Sequence, residues 1–251
     1  MDRGYVVEDQ AAIAALIGAA RRAARLELRF QPATPDGRAA SISLDGASAA
    51  LLWIDERQQR LGTVTALARQ GERPATAVPQ PTALPVAPPE LTGLTPPPSE
   101  ISAEIRREMA RQAAGYCEPD TQIEDSEAKR VFRLGEKLLL ATTPCFSGAY
   151  NVSRAYFLID EGPSPNVRPA LFPRPVEGID DSSPANVLAN ADSDETSGNV
   201  SFYDKGRGRF DCGSFGSWQW DGQAFRPTRF GTLSVCRGID NGHWPMVFRT
   251  R

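Results

Sequence analysis

Three groups of residues in this chain have the types and spacing that chemistry needs. The first is Lys205-Gly206-Arg207-Gly208-Arg209. Glycine lacks a Cβ, so backbone N–H groups there can take positive φ and approach a ligand. Cations at every second position of an extended run point to one face. Such a face suits a phosphate or carboxylate, which guanidinium groups grip through paired hydrogen bonds. The spacing is not the Gly-x-x-x-x-Gly-Lys-Ser/Thr of a phosphate-binding loop. A second reading stays open: a tight turn before Cys212 whose bases are neutralised by Asp204, Asp211 or the acidic stretch 180–195.

The second group is Cys117, Cys145, Cys212 and Cys236. None forms Cys-x-x-Cys, and the chain has 1 histidine, so a zinc site is not expected. An even count in two sequential pairs predicts disulfides Cys117–Cys145 and Cys212–Cys236. Each closes a loop of roughly 25 residues, worth roughly 3 kcal/mol of chain entropy. Disulfides imply an oxidising compartment. The alternative is four buried free thiols.

The third group is His243 and the clustered acids. A Ser-His-Asp or Cys-His arrangement would have to use His243, which sits beside Trp244-Pro245 in a closing strand. A packing or surface role is expected for it. Asp180-Asp181 and Asp192-Ser193-Asp194-Glu195 lie in Ser/Asn/Pro-rich loops. The latter lacks the glycine and terminal glutamate of a calcium loop. No metal, cofactor or catalytic residue is therefore expected. Tyr150, Tyr156, Phe157, Phe202, Tyr203, Trp218, Trp220 and Trp244 read as core.

Composition sets the bounds. The chain has 251 residues, 41% hydrophobic and 24% charged, enough for a buried core. No apolar run reaches the ~18 residues of a membrane span. Asp2, Glu8 and Asp9 stand where a signal peptide would be basic. A net charge of −3 gives no reason to expect nucleic acid. Charge is uneven: residues 117–201 carry 14 acids and 7 bases, and residues 202–251 carry 4 acids and 8 bases. The two stretches are expected to pair with each other.

These residues must be positioned by the elements around them. Residues 73–98 hold 9 of the 21 prolines, which excludes a helix or central strand and predicts a semi-rigid linker. Before it, Asp9 can cap a helix with Ile13, Leu16, Ile17 and Ala20 on one side. Leu26–Phe30 and Ser41–Leu44 read as strands, with Pro35-Asp36-Gly37 a turn. Ala47–Gln58 reads as a helix. About 70 residues make a marginal core. After the linker, Ser99 can cap a helix to Ala114, with Ile101, Ile105 and Met109 along one side and Gly115 as the stop. Beyond Cys117 the pattern is β. Lys137–Thr142, Arg154–Ile159, Val200–Tyr203 and Met246–Arg249 are strand-like, and Trp218–Phe225 reads as a hairpin turning at Asp221-Gly222 with both tryptophans on one buried face. Seven or eight strands suggest a sandwich or barrel.

Three ordered motifs carry a resemblance. Ser43–Asp55 with Gln58 and Arg60–Leu67 is one. Pro144-Cys145-Phe146-Ser147-Gly148-Ala149-Tyr150-Asn151 is another. Lys205–Gly208, Asp211-Cys212-Gly213, Trp218–Gly222, Phe225, Cys236-Arg237-Gly238 and Trp244-Pro245 form the third. Together they resemble an uncharacterised family of exported proteobacterial proteins, the domain of unknown function numbered 1176. The resemblance implies export, which agrees with disulfides and with a periplasmic or secreted location. It also implies that the chain starts part-way through a first domain related to invasion-associated locus B proteins, near Tyr5-Val6-Val7. It brings no activity and no catalytic residue.

The expected fold is α+β: a partial N-terminal α+β unit over 1–72, a Pro-rich linker over 73–98, and a helix followed by a disulfide-bearing antiparallel β domain over 99–251. The expected function is a non-catalytic envelope module that binds a protein or glycan. The rivals are a hydrolase of envelope polymers and an anion-binding module on Lys205, Arg207 and Arg209.

Overall fold

The computed structural model describes residues 7–29, 39–118, 130–175, 183–194 and 197–251. Phe30, Pro35-Asp36-Gly37, Asp180-Asp181 and Glu195 lie outside them. The chain is mixed α+β and divides into two compact units between Ala83 and Leu84, within the proline-rich run.

The first unit contains α1 (Gln10–Ala20), β1 (Arg25–Arg29), β2 (Ala39–Ser43) and α2 (Ala47–Arg57). Asp9 caps α1, its carboxylate accepting from the Ala12 N–H at 2.7 Å. The strands pair antiparallel, Leu26 opposite Ile42. Little of the unit is buried. No α1 residue is buried, and Leu52 and Trp53 of α2 are 44% and 59% exposed. Its fully buried side chains include a polar one. The fully buried Asp55 accepts from the N–H groups of Leu67 (2.9 Å) and Ala68 (2.7 Å). Burial opposes ionisation of Asp55, but the N–H groups of Leu67, Ala68 and Arg69 together with Arg60 outweigh it and hold its pKa below the usual carboxylate range. The run of helix and loop in the first motif is thus pinned by one carboxylate.

The second unit is a three-layer stack of one helix and two sheets. Its helix α3 (Ala103–Ala113) starts three residues later than expected. Ser102, not Ser99, caps it, accepting from Ile105 N–H at 3.2 Å. Proline at 96–98 favours extended backbone, which delays the first helical turn. Gly115 takes no left-handed conformation. The helix instead closes through the Cys117 N–H on the Ala113 carbonyl (2.8 Å), and Cys117 is then tied down by its disulfide.

Ten strands follow: β3 (Val131–Gly135), β4 (Leu138–Ser147), β5 (Val152–Asp160), β6 (Asn166–Pro169), β7 (Val187–Ala189), β8 (Asp192–Ser193), β9 (Asn199–Lys205), β10 (Gly213–Trp220), β11 (Phe225–Leu233) and β12 (Met246–Arg249). One antiparallel sheet runs β3-β4-β5-β6, with β7 also on β5; the other runs β12-β11-β10-β9-β8. The inner faces share a core of Phe132, Leu140, Tyr156, Phe172, Phe202, Trp218, Trp220 and Phe230, among others. Each such side chain contributes roughly 1.5–3 kcal/mol by leaving water. The first sheet is covered on its other face too, where Met109 and Ala113 of α3 meet Leu139, Phe157 and Ile159. Hence β5 is buried along six consecutive residues rather than alternating.

The hairpin forms as expected, with Trp220 opposite Phe225 and both tryptophans buried. Its loop spans Asp221–Ala224. The Asp221 carboxylate accepts from the Gln223 and Ala224 N–H groups, each at 2.8 Å. Both disulfides form in the expected pairing, with Cα separations of 4.5 Å for Cys117–Cys145 and 4.7 Å for Cys212–Cys236.

The proline-rich run holds one 3-10 turn, Ala75–Ala77. Its second half lies on the β unit. Pro85 accepts from the Arg251 N–H, Leu91 N–H donates to Ser197 (2.9 Å), and the Leu91 side chain packs on the core.

Candidate functional site

The basic loop connects β9 to β10 and is held by the second motif. The Asn151 side-chain N–H2 donates to Asp204 Oδ1 (2.8 Å) and the Lys205 carbonyl (2.9 Å), and its Oδ1 accepts from Lys205 N–H (3.1 Å). Asn190 completes the latch. Its side chain donates to Asn151 Oδ1 (2.7 Å) and the Tyr203 carbonyl (2.8 Å). Motifs 50 residues apart therefore meet at one corner of the sandwich.

The loop is not extended past Lys205. It bends at Gly206 and turns at Gly208-Arg209, so the three cations do not share one face by alternation. Neither Gly206 nor Gly208 takes positive φ; Phe210 does, at 60°. Gly206 has a different reason. A Cβ there would stand 2.8 Å from the Cys212 sulfur, so the loop can close on the disulfide only without a side chain.

Each cation has a distinct setting. Arg207 grips Asp211 with two hydrogen bonds, Nε to Oδ1 at 2.7 Å and the terminal nitrogen to Oδ2. Asp211 also accepts from Gly238 N–H at 2.6 Å. The Arg207 guanidinium beside it, aided by Gly238, holds Asp211 well below the usual carboxylate range despite burial. Arg207 thus ties the loop to the segment after Cys236. Lys205 stacks its ammonium 4.1 Å from the Phe210 ring centre. Lys205 and Arg209 line a pocket of about 280 Å³ with Tyr203, Asp211, Asp240 and Asn241. Two acids and two bases leave its lining balanced. Burial, then Asp240 and Asp211, pushes the Tyr203 hydroxyl up.

Arg207–Asp211 and Arg226–Asp221 form within the basic stretch, and Arg130–Asp192, Arg133–Glu161 and Arg168–Asp160 within the acidic one. Asp180, Asp181 and Glu195 of the acidic stretch lie outside the described residues.

A second pocket lies beside the first, on the outer face of the β8–β12 sheet. It measures about 520 Å³ and is lined by Asn199, Ser201, Tyr203, Phe215, Ser217 and Arg229, with Asn241 and Gly242 at its rim. Tyr203 and Asn241 belong to both pockets, which makes one groove. The lining follows from strand alternation. Val200, Phe202, Trp218 and Phe230 point inward, so Ser201, Tyr203, Ser217 and Arg229 point outward. Phe215 lies flat over Gly231, where a Cβ would come within 2.3 Å of the ring. The Arg229 guanidinium covers Phe215 at 4.8 Å, and Trp244 packs near both Phe215 and Tyr203. Alternation alone does not reveal these outward residues; their partners come from strands and loops distant in sequence.

His243 is exposed at the end of a 3-10 turn, Asn241–His243. Among the described residues, Asp211, Cys212 and Cys236 are close enough to suggest metal ligation, but both sulfurs are held in the disulfide. No helix of the described residues is long and apolar enough to cross a membrane.

The sequence comparisons agree with the motifs that build this corner. Uncharacterized protein YpfG of Escherichia coli (strain K12) is 30% identical over 255 residues, covering 98% of this chain and 68% of that protein. No solved structure matches. The family described as Protein of unknown function (DUF1176) matches residues 2–251, which takes in Asn151, the Lys205–Gly213 loop, both disulfides and the sheet behind them. The chain belongs to the DUF1176 family.

Proposed function

We propose that this chain is a non-catalytic binding module of the cell envelope, and that its ligand face is the groove on the outer side of the β8–β12 sheet. The observation that carries the reading is the groove itself: an open pocket of about 520 Å³ lined by the aromatic residues Phe202, Tyr203 and Phe215, several hydroxyl and amide groups and one arginine. Binding sites join apolar platforms with a few polar groups that fix orientation. Two disulfides are compatible with a non-cytoplasmic setting. Hydrolysis of an envelope polymer has less support, because the pocket of about 520 Å³ is lined by no carboxylate and no imidazole, and Asp211 of the adjoining pocket is already paired with Arg207.

The test is to titrate the oxidised protein with a panel of envelope oligosaccharides by calorimetry, and to incubate the same panel for product analysis. Saturable heat without turnover is the expected result. Cleavage of any oligosaccharide would overturn the non-catalytic reading. A second reading, an anion site at the loop, is favoured by Lys205 and Arg209 lining the adjoining pocket. It predicts that Arg209→Ala lowers the thermal shift caused by phosphate or sulfate.

A further inference from the structure

Resting on the binding reading above, we infer that the ligand of the outer groove is an acidic carbohydrate, its acid group held by Arg229 and Arg249. Arg229 and Arg249 are directly opposite in the β11–β12 register, so both side chains leave the same face of the sheet. Like charges directly opposite destabilise an antiparallel pair. Neither guanidinium is paired with a carboxylate among the described residues. Several other arginines of this unit, Arg133, Arg207 and Arg226 among them, do have such partners. What marks Arg229 and Arg249 as a preformed place for an external anion is that two guanidinium groups without a carboxylate stand directly opposite each other on one face.

The rest of the lining selects for sugar. Asn199, Ser201 and Ser217 supply short polar groups at strand spacing, suited to a row of hydroxyls. Tyr203 and Phe215 supply half-buried rings along the groove. The Arg229 guanidinium lies over the Phe215 ring at 4.8 Å and is exposed, so it can reach a carboxylate or phosphate. The groove is open rather than enclosed, which suits an internal segment of a chain. The neighbouring pocket carries Asp211 and Asp240 beside its bases and is less suited to an anion.

The test uses the full, oxidised chain and two probe pairs: tetragalacturonate with its methyl ester, and a phosphorylated glucosamine disaccharide with its dephosphorylated form. Calorimetry should show at least one acidic probe binding about tenfold or more tighter than its neutral partner, with affinity falling as salt rises. Arg229→Gln should remove that preference, bringing the acidic form to the same affinity as its neutral partner. Arg249→Gln, on an exposed edge strand, makes the same test should the first variant fold poorly. Ser201→Trp should abolish binding of both members of a pair by filling the groove. Arg226→Gln, whose side chain is paired with Asp221 at the hairpin, should bind as the parent does. Equal affinity for acid and neutral forms, or full acid binding by Arg249→Gln and Arg229→Gln, would overturn this inference while leaving the binding reading in place. Failure of the parent protein to bind either pair, with no saturable heat on the wider oligosaccharide panel, would overturn both.

Discussion

Replacing Asn151 by alanine removes the latch that holds the basic loop to the first sheet. Four hydrogen bonds go with it: two to Lys205 backbone groups, one to Asp204 and one from Asn190. A net hydrogen bond contributes about 0.5–1.5 kcal/mol, and less where water can replace the partner, as at Asp204. The expected loss is therefore about 2–3 kcal/mol, or a fall in Tm of roughly 5–10 °C for a unit of this size. Urea denaturation followed by tryptophan fluorescence measures it, since Trp218 and Trp220 lie in the core of the same unit. Asn151→Asp gives the matching control. It keeps an acceptor for Lys205 N–H but sets a carboxylate against Asp204, so it should be at least as damaging at neutral pH and recover as the pH falls toward about 4. A change below about 0.5 kcal/mol in Asn151→Ala would refute the latch, because surface changes of that size need no mechanism.

Asp55→Ala should destabilise the first unit by about 2–4 kcal/mol, since the Leu67 and Ala68 N–H groups lose their acceptor; proteolysis within 58–73 would report it. Arg207→Ala should lower Tm by several degrees with no ligand present, because Asp211 keeps only the Gly238 N–H; an unchanged unliganded Tm would contradict a structural Arg207. Arg226, then the Ala224 and Gln223 N–H groups, lowers Asp221 to about 2. Its folded pKa lies below its unfolded value, so its stabilisation is complete above about pH 4 and is lost as pH falls toward 2. Asp221→Asn should flatten that acid limb of the stability curve relative to the parent.

How far the sequence reaches depends on whether a feature is local. The hairpin was legible because Trp218, Trp220 and Phe225 alternate about an Asp-Gly dipeptide, all within eight positions. The disulfide pairing was legible because its partners are sequential. Helix α3 was legible in its core-facing Ile105 and Met109, but not in its start: Ile101 packs on the same core from before the cap, and Ser99 and Ser102 are equally good caps between which only the preceding prolines decide. Strands β6 to β8 are two to four residues long and carry no period that stands out. The basic loop was visible as composition, yet the role of Arg207 depends on Asp211 one turn later and on Gly238, which a disulfide brings near. The groove was invisible for the same reason. Ser201, Phe215 and Arg229 become neighbours only through the register of three strands, and Arg249 stands opposite Arg229 on a fourth.

An amide NMR titration of the full chain with the tighter-binding acidic oligosaccharide locates the ligand on the molecule. Saturable shifts are expected at Ser201, Tyr203, Phe215, Ser217, Arg229 and Arg249, with little change along β3–β5. Shifts confined to another surface, or none at saturating oligosaccharide, would contradict that placement.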